Sequence, residues 1–202
     1  MQSSDLRCRK AILSDNIGVI AKLIHLTDPF IYPAICRDPL DEAWSELISR
    51  CIKSKNNVFS LDHITVVTHG DNIVGIAVVI PCPQKISFTD DIAIPKKLSY
   101  TVKNVDEGYF VPLAEESLSY NGYNIVNFCI DEGYRGNGIG AFLMEYCINE
   151  YGLYDVHLDV VSSNKAAVTL YKKFGFETTN EYMGFSGDDS ELPCYHMVRR
   201  SH

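Results

Sequence analysis

The sequence lacks the features that mark membrane and secreted proteins. It contains no run of apolar residues long enough to cross a bilayer. Its N-terminus carries Asp5, Arg7 and Arg9 where a secretion signal needs an uninterrupted apolar segment. We therefore expect a cytoplasmic protein that does not act at a membrane.

Positive charge is also scarce in the chain. Lysine and arginine together number 18 against 26 aspartates and glutamates, and the formal net charge is -8. Broad binding to nucleic acid or to an anionic bilayer needs a basic surface, so this balance argues against both partners. Any anion that the protein binds must be held by a local site.

The seven cysteines lack the spacing of a disulfide framework or a zinc site. Their number is odd, no two stand in a C-x-x-C pair, and most lie inside apolar runs. These features are typical of reduced thiols in the core of an intracellular protein. The histidines show no metal-ligand spacing either, so the sequence predicts no metal ion.

The length and the apolar pattern of the chain indicate one domain, 1–202, with a full hydrophobic core, since 46% of the 202 residues are hydrophobic. Apolar periodicity predicts strands at 6–13, 63–68, 73–80, 123–130, 154–161 and 195–199. Helices are predicted to begin after Ser14 and Asp38, and at Ile139 and Asn164. Between 81 and 121 the pattern is loose, which indicates a long insertion, and loops of this length are usually either functional or disordered.

A glycine-rich segment, Arg135 to Gly140, joins the strand at 123–130 to the helix at Ile139 and reads RGNGIG. A helix begins with backbone N–H groups that have no partner within the helix, and it carries the positive end of the helix dipole. Glycines at this point have no Cβ that would hold a ligand away from those N–H groups. The segment therefore predicts a site for an anion such as a diphosphate.

Two common nucleotide-binding motifs must be weighed against this segment. From Gly136 it also fits the dinucleotide pattern G-x-G-x-x-G/A, and Asp159 follows about 20 residues later, as that pattern requires. However, residues 131–135 separate the strand from the glycines, and only about 60 residues remain for the rest of a doubly wound sheet. A P-loop is excluded because no Lys-Ser or Lys-Thr pair follows the glycines.

The segment resembles the main motif of the GNAT superfamily of acyl-CoA-dependent N-acyltransferases, in which an Arg or Gln precedes two small residues at fixed spacing. Arg135, Gly138 and Gly140 occupy those positions. A second part of the family pattern follows at the expected distance and is matched by Asn164, Ala166, Ala167, Leu170, Tyr171, Gly175 and Phe176. Because two separate parts agree, the chain resembles this family over 125–176, whereas the stretch 81–121 is longer than the family's usual link.

This resemblance implies an α/β fold with a mixed central sheet of about six to seven strands, flanked by helices and containing a splayed pair of parallel strands. It also implies that acetyl-CoA is the acyl donor, with its pantetheine arm bound by backbone groups of Phe128 and Ile130. The residues implied to hold the diphosphate are Arg135, Gly136, Asn137, Gly138, Ile139 and Gly140. Asn164 is implied as a further cofactor contact and is also a good helix N-cap.

Tyr171 lies where the family has the tyrosine that protonates the departing CoA thiolate. A phenol keeps its proton at neutral pH, so it is a suitable acid for a developing thiolate. The alternative is that Tyr171 only belongs, with Leu170, to the apolar stripe of its helix. With the family motif around it, we interpret Tyr171 as the catalytic acid.

The general base is not evident from the sequence. The family often has a Glu or His on the strand just before Phe128, and here those places hold Tyr123, Asn124, Val126 and Asn127. The acidic residues that could receive the amine proton through water are Glu115, Glu116, Asp131 and Glu132. Candidate walls of the acceptor site are Phe30, Tyr32, Trp44, Tyr109 and Tyr120.

We therefore predict an acetyl-CoA-dependent N-acetyltransferase that acts on a primary amine by direct attack in a ternary complex. Its acceptor is a small molecule or a peptide, and a homodimer is compatible with the sequence. Because no carboxylate stands on the strand, a non-catalytic acyl-CoA-binding sensor of the same fold is the second hypothesis. A dinucleotide-binding domain is the third.

Overall fold

The computed structural model describes residues 5–27, 42–55, 57–82, 122–185 and 191–201. Within these ranges the strands are β1 (Leu6–Lys10), β2 (Ile64–His69), β3 (Asn72–Cys82), β4 (Gly122–Ile130), β5 (Val156–Val161), β6 (Glu177–Phe185) and β7 (Glu191–Arg199). The helices in the same ranges are α1 (Ile17–His25), α2 (Glu42–Lys53), α3 (Ile139–Tyr151) and α4 (Lys165–Lys173). Short 3-10 turns span Leu61–His63 and Glu132–Tyr134.

The seven strands form one mixed sheet in the order β1-β2-β3-β4-β5-β7-β6. Neighbouring strands are antiparallel except β4 and β5, which are parallel. Parallel neighbours need a crossover connection, and α3 is that connection. The sheet confirms the predicted α/β fold of six to seven strands with one parallel pair.

Helices cover both faces of the sheet. On one face α1 and α2 pack against a buried cluster that includes Ile20, Ile48 and Ile76. On the other face α3 and α4 pack against a cluster that includes Leu143 and Val168. The central strands send alternate side chains into the two clusters, as strands that are buried on both sides do. These sides of the sheet are called the α1/α2 face and the α3/α4 face below.

The parallel strands β4 and β5 are paired only at their beginning. Ile125 and Leu158 are their last paired residues, although β4 continues to Ile130 and β5 continues to Val161. The two strands therefore part in the middle of the sheet. The gap between their unpaired ends is called the fork. The two strands that border it are the splayed parallel pair that the family resemblance implies.

A β-bulge in β4 coincides with the beginning of the fork. Across the ladder with β3, Val78 lies opposite Asn127, whereas the next residue, Val79, lies opposite Ile125. Val126 is therefore an extra residue on β4. Because a bulge bends its own strand and increases the local twist, it gives β4 a reason to leave β5 at this point.

The bulge also changes which residues of β4 point to each face. Ile125 before the bulge and Phe128 after it both contribute to the cluster on the α3/α4 face, although they are three residues apart. Asn127 and Cys129 consequently point to the α1/α2 face, where Cys129 belongs to the buried cluster. Without the bulge, Phe128 and Cys129 would exchange faces.

The hairpin predicted around Gly70 is confirmed. β2 and β3 are antiparallel and are joined by Gly70 and Asp71 alone. Gly70 has φ 58, a conformation that glycine adopts at little cost and that tight hairpin turns require.

β1 ends at Lys10, three residues before the predicted end at Leu13. The chain turns here because the carboxylate of Asp15 binds back to it. One of its oxygens accepts a hydrogen bond from Ile12 N at 2.8 Å, and the carboxylate forms an ion pair with Arg9 at 2.6 Å. These contacts close a turn where the apolar pattern alone suggested a longer strand.

The beginning of α1 also differs from the prediction. Its N-cap is Asn16, whose side chain accepts a hydrogen bond from Val19 N at 3.2 Å, and the predicted cap, Ser14, lies in the preceding turn. The predicted cap of the second helix, Asp38, lies outside the described residues, and α2 is described from Glu42.

β6 is a strand that the sequence pattern did not predict. It reads ETTNEYMGF, in which polar residues occupy both faces of the strand. Among the described strands, β6 lies at the edge of the sheet and has β7 as its single neighbour, so pairing specifies it more than burial does. The same pairing extends β7, which begins at Glu191 and not at the predicted residue 195. β5 begins at Val156, two residues after the predicted start at 154.

The predicted insertion at 81–121 lies outside the described residues except for its first two, which end β3. The single-domain assignment 1–202 therefore stays a prediction. None of the four helices described here has both the length and the apolar composition that a membrane crossing needs.

Candidate active site

The chain reaches α3 from the end of β4 through a compact turn. The carboxylate of Asp131 accepts a hydrogen bond from Gly133 N at 3.0 Å and so caps the 3-10 turn Glu132–Tyr134. Gly136 and Gly138 follow with φ 78 and φ 79, in the left-handed region that favours glycine. Gly138 is the N-cap of α3, and this part of the chain confirms the predicted strand, glycine turn and helix.

The turn and the first turn of α3 present a row of backbone N–H groups without protein acceptors. The first helical hydrogen bond is from Phe142 N to Gly138 O, at 3.0 Å. Within the described part of the chain, the N–H groups of 136–141 donate to no other group. A Cβ placed on Gly138 would have no atom within 4 Å, so the space in front of these groups is open. The arrangement fits an anion with several oxygens, such as a diphosphate.

Two side chains of the turn fix its shape. Arg135 donates from Nε to Ile130 O at 2.9 Å, which ties the turn to the end of β4. Asn137 donates from Nδ2 to Tyr134 O at 3.3 Å and to Arg135 O at 3.1 Å. These bonds stabilise the loop internally, and half of the Arg135 side chain stays exposed beside it.

Gly140 lies where α3, α4 and β4 meet. A Cβ at this position would lie 3.5 Å from Leu170 Cδ2 on α4 and 3.8 Å from Ile130 Cγ1 on β4. It would also lie 4.0 Å from Phe128 Cε1. The structure thus brings together the glycine turn, the unpaired end of β4 and the helix of Tyr171, which are separate in the sequence.

The backbone groups of Phe128 and Ile130 face the fork. Asp131 N donates to Val74 O on β3 at 2.9 Å, and Ile130 lies opposite Gly75. In an antiparallel ladder, residues that bond to one neighbour alternate with residues whose N–H and C=O point to the other side. Phe128 and Ile130 therefore point away from β3, toward the side from which β5 has departed.

Tyr171 is buried on the α3/α4 face beside the fork. Its ring is edge-on to the ring of Phe128, with centroids 6.2 Å apart. Burial, and to a smaller extent the neighbouring Cys129, raises the pKa of the Tyr171 phenol above its ordinary value. The phenol therefore keeps its proton at neutral pH, as a proton donor to a departing thiolate must.

Asn164 is the N-cap of α4, as predicted, and its side chain accepts a hydrogen bond from Ala167 N at 3.2 Å. The residue is exposed. The cap bond uses the amide oxygen and leaves the NH₂ group as a donor, so capping and a contact with a ligand do not exclude each other.

The acidic residues named in the sequence analysis have other contacts or lie elsewhere. Asp131 caps the turn described above, and Glu132 is exposed and lies 3.7 Å from Arg135. Glu115 and Glu116 are outside the described residues. So are the candidate wall residues Phe30, Tyr32, Tyr109 and Tyr120, together with the side chain of Trp44.

A group of polar side chains on β5 and β7 includes His157 and His196, which were assigned no role from the sequence, and Asp159, which was named only in the dinucleotide pattern. His196 Nδ1 lies 2.9 Å from Asp159 Oδ1, and His196 Nε2 lies 3.3 Å from His157 Nδ1. The sequence did contain a signal, because polar residues at 157 and 159 alternate with Val156, Leu158 and Val160. Their partner on β7 could not be read from that pattern.

Among the residues that the structure describes, no group of three or more His, Cys, Asp or Glu side chains is arranged to hold a metal ion. The absence of a metal stays a prediction.

Cys129 is buried, and burial raises the pKa of its thiol despite the opposing effect of Arg135.

Comparisons with known proteins agree with this geometry. The family model described as acetyltransferase (GNAT) family matches residues 34–176. An N-alpha-acetyltransferase from Saccharolobus solfataricus is 30% identical, over 50% of this chain and 69% of that protein. An uncharacterized protein from Mycobacterium leprae is 32% identical over 35% of this chain, and the chain spans only 20% of the length of that relative.

Solved structures show the same fold. An N-acetyltransferase from Staphylococcus aureus Mu50 superposes with a TM-score of 0.66 at 16% identity, over 95% of this chain and 99% of that chain. A GNAT family acetyltransferase from Elizabethkingia anophelis with acetyl-CoA bound has a TM-score of 0.54 at 13% identity, over 97% and 98% of the two chains. The family model matches most of the length of the chain, and the sheet has the fold of these solved acetyltransferases. The chain therefore belongs to the acetyltransferase (GNAT) family.

Proposed function

We propose that the chain transfers the acetyl group of acetyl-CoA to a primary amine, by direct attack within a ternary complex. The observation that carries this proposal is the row of backbone N–H groups at 136–141, which end at the junction of α3, α4 and the fork. A diphosphate on these groups would leave its attached chain pointing along the unpaired edge of β4. An anion site alone would not explain the open strand beside it.

Acetyl-CoA, when bound, supplies an acyl group that is already activated as a thioester. Phe128 and Ile130 offer N–H and C=O groups toward the fork, where a pantetheine arm with its two amides finds partners. Tyr171 lies next to Phe128 and holds a proton for the departing sulfur. The protein thus contributes position and one proton, and needs no metal for either.

The acceptor that we propose is the α-amine at the N-terminus of a peptide or protein. The support is the N-alpha-acetyltransferase relative, of which this chain covers 69%. Small amines are the alternative acceptors within the same reaction.

A second function is favoured by one observation, the side chains of β4. Among the described residues no carboxylate or imidazole on β4 adjoins the fork, so an acyl-CoA-binding sensor without turnover fits this strand equally well. A sensor and an enzyme differ in whether CoA thiol is released.

The deciding experiment measures free CoA thiol with acetyl-CoA and a panel of acceptors. The panel contains short peptides that begin with Ala, Ser or Met and have no lysine, the same peptides with a blocked N-terminus, and spermidine. We expect thiol release with one or more free peptides and none with their blocked forms. Release with spermidine alone would replace the peptide acceptor by a small amine. Tight acetyl-CoA binding in calorimetry with no thiol release from any acceptor would support the sensor.

A further inference from the structure

The polar group on β5 and β7 lies at the fork, on the face opposite to Tyr171. Asp159 directly follows Leu158, the last residue of β5 that pairs with β4. Leu158 and Val160 point to the α3/α4 face, so Asp159 and His157 point to the α1/α2 face. Asp159 therefore borders the fork on the α1/α2 face, opposite to the α3 and α4 helices of the proposed donor site.

The three side chains form one hydrogen-bonded row that runs from the interior to the surface. His157 and His196 are 2% and 5% exposed, whereas the side chain of Asp159 is 26% exposed. The carboxylate is thus the accessible end of the row. Its Oδ1 contacts His196, and in the described part of the protein no donor contacts its Oδ2.

The positions of the protons in this row follow from its chemistry. A carboxylate only accepts, so the proton between His196 and Asp159 is on His196 Nδ1. An imidazole that carries its proton on Nδ1 can accept at Nε2, which places the proton between the two imidazoles on His157 Nδ1. In this arrangement each histidine donates from Nδ1 along the row, and the exposed carboxylate is the final acceptor.

The electrostatic surroundings agree with a neutral His157 in the interior. Burial, followed by the neighbouring His196, lowers the pKa of His157 to about 4. The charged groups among the described residues that act on His157 are Asp155, Arg200 and Asp159. Asp155 and Arg200 form an ion pair at 2.6 Å, so Asp159 is the carboxylate of this group without a cationic partner.

A second acceptor lies on the other side of the fork. Asn127 on β4 points to the same face as Asp159, and its Nδ2 donates to Thr27 Oγ1 at the end of α1, at 2.6 Å. This bond uses one N–H of the amide and identifies Oδ1 as its acceptor, which no donor among the described residues contacts. The two strands that border the fork thus each offer one oxygen acceptor, which suits an ammonium group with three N–H donors.

We propose that Asp159 is the proton acceptor for the amine substrate, and that His196, held by His157, is the positioning residue that orients its carboxylate. This inference rests on the proposed function. It assigns the base that the sequence did not show, on β5 instead of β4. It also places the acid and the base on opposite faces of the sheet, with the fork between them.

The proton balance is as follows. The ammonium group gives one proton to Oδ2 of Asp159, and the freed nitrogen lone pair attacks the thioester carbonyl carbon. The C–S bond breaks and the sulfur takes the proton of Tyr171. The nitrogen loses its second proton to water, Tyr171 regains one from water, and Asp159 releases the first. One proton is released for each amide and each CoA thiol formed.

The test uses Asp159→Asn, with Asp71→Asn in the exposed β2–β3 turn as the matched control. The probe is an Ala-initiated peptide without lysine, assayed by CoA thiol release between pH 6 and 9. For Asp159→Asn we expect kcat to fall by about 100-fold and the acetyl-CoA Kd to stay within about twofold. Below the pKa of a free peptide α-amine, about 8, we expect log(kcat/KM) of this variant to rise by about one per pH unit, because only the neutral amine then reacts. The control should match the wild type.

His196→Asn distinguishes orientation from mere packing. The amide NH₂ of asparagine can replace the Nδ1 donor, so we expect a smaller loss of kcat than in His196→Ala. The double variant that combines His196→Asn with Asp159→Asn should be no slower than Asp159→Asn alone, because His196 and Asp159 act as one unit. Equal losses in His196→Asn and His196→Ala would refute the positioning role.

A measurement without turnover completes the test. In ¹⁵N-labelled protein, imidazole resonances at pH 7 should show a proton on Nδ1 of both His157 and His196. A proton on Nε2 of His196 would overturn the proposal whatever the activity. Wild-type rates in Asp159→Asn across the pH range would overturn it too, with the acetyltransferase function intact. A wild-type protein that acetylates no amine would instead overturn the proposed function. Thiol release with the peptides whose N-terminus is blocked would overturn it as well.

Discussion

The ring of Phe128 on β4 stands edge-on to the ring of Tyr171 on α4, with the ring planes at 83°. Phe176 contacts the Tyr171 ring as well, with centroids 5.9 Å apart. Both contacts involve the ring, and no described side chain hydrogen bonds to the phenol oxygen. Packing and proton donation thus use different atoms of Tyr171, so the two interpretations of this residue are compatible.

Tyr171→Phe should separate these two uses, because it removes the phenol oxygen and keeps the packed ring. We expect kcat to fall by about 100-fold, as for the loss of a general acid, while the acetyl-CoA Kd changes by less than about twofold. Thiol-release kinetics and calorimetric titration measure the two quantities. The control is Tyr154→Phe, since Tyr154 is exposed beyond the end of α3. Unchanged turnover would remove Tyr171 from the mechanism.

The pH dependence of kcat gives a second prediction for Tyr171. Burial raises the pKa of its phenol, so the proton is retained above the ordinary tyrosine pKa of about 10. Turnover should therefore show no decline from loss of this proton between pH 7 and about 10. A decline below pH 9 that is present in the wild type and absent from Tyr171→Phe would contradict this expectation.

Gly138→Ala should weaken acetyl-CoA binding, and Gly70→Ala should not. Both glycines have positive φ, 79 and 58, and both have open space at the Cβ position. Alanine therefore imposes a similar backbone strain of about 1–2 kcal/mol at either site. Only Gly138 adjoins the N–H row, so we expect the Kd to rise about tenfold there alone, equivalent to about 1.4 kcal/mol. Calorimetry gives the acetyl-CoA Kd, and thermal unfolding gives the cost of the backbone strain. Equal acetyl-CoA Kd values in the Gly138→Ala and Gly70→Ala variants would contradict the anion site.

Substitutions at Asn164 should separate its cap from its contact with the cofactor. Asn164→Ala removes the hydrogen bond to Ala167 N and should reduce the free energy of unfolding by about 1 kcal/mol. Asn164→Asp keeps an N-cap oxygen but brings a negative charge to the proposed diphosphate site. We expect it to retain stability and to weaken acetyl-CoA binding. Urea unfolding and calorimetry test the two effects, and an unchanged Kd in the Asp variant would leave Asn164 as a cap only.

His157 should make the protein less stable in mild acid. Its pKa is lowered from about 6.5 to about 4, so the unfolded chain binds the proton that the folded protein excludes. The associated stability is present above pH 6.5 and is lost as the pH falls toward 4. Between pH 7 and 5 we expect a loss of about 2 kcal/mol that His157→Asn does not show. Urea unfolding at both pH values measures the difference, and parallel losses in the two proteins would contradict it.

The turn and the helix cap that form the proposed donor site could be predicted because they are local in sequence. Gly136, Gly138 and Asn164 have their roles through the turn and the cap that they form with neighbours a few residues away. Such short-range chemistry leaves a clear signal in the order of the residues. The predicted β4, α3 and α4 are accordingly close to their observed bounds.

The acceptor side could not be predicted in the same way. The contact of Asp159 with His196 joins residues on β5 and β7, and no spacing in the sequence indicates which strands are neighbours. The bulge at Val126 is equally hidden, because it is defined only by its partner strand. Reading β4 as a regular alternation would have given the wrong face to either Ile125 or Phe128.

The proposed diphosphate site is built from main-chain N–H groups, which every amino acid except proline has. Its specificity therefore depends on the path of the chain through Gly136 and Gly138, which the hydrogen bonds of Arg135 and Asn137 hold in place. A scan of alanine substitutions would find its sensitive positions among these four residues. The turn could accumulate sequence changes at Ala141 over many generations and keep its affinity, provided that the backbone retains its shape.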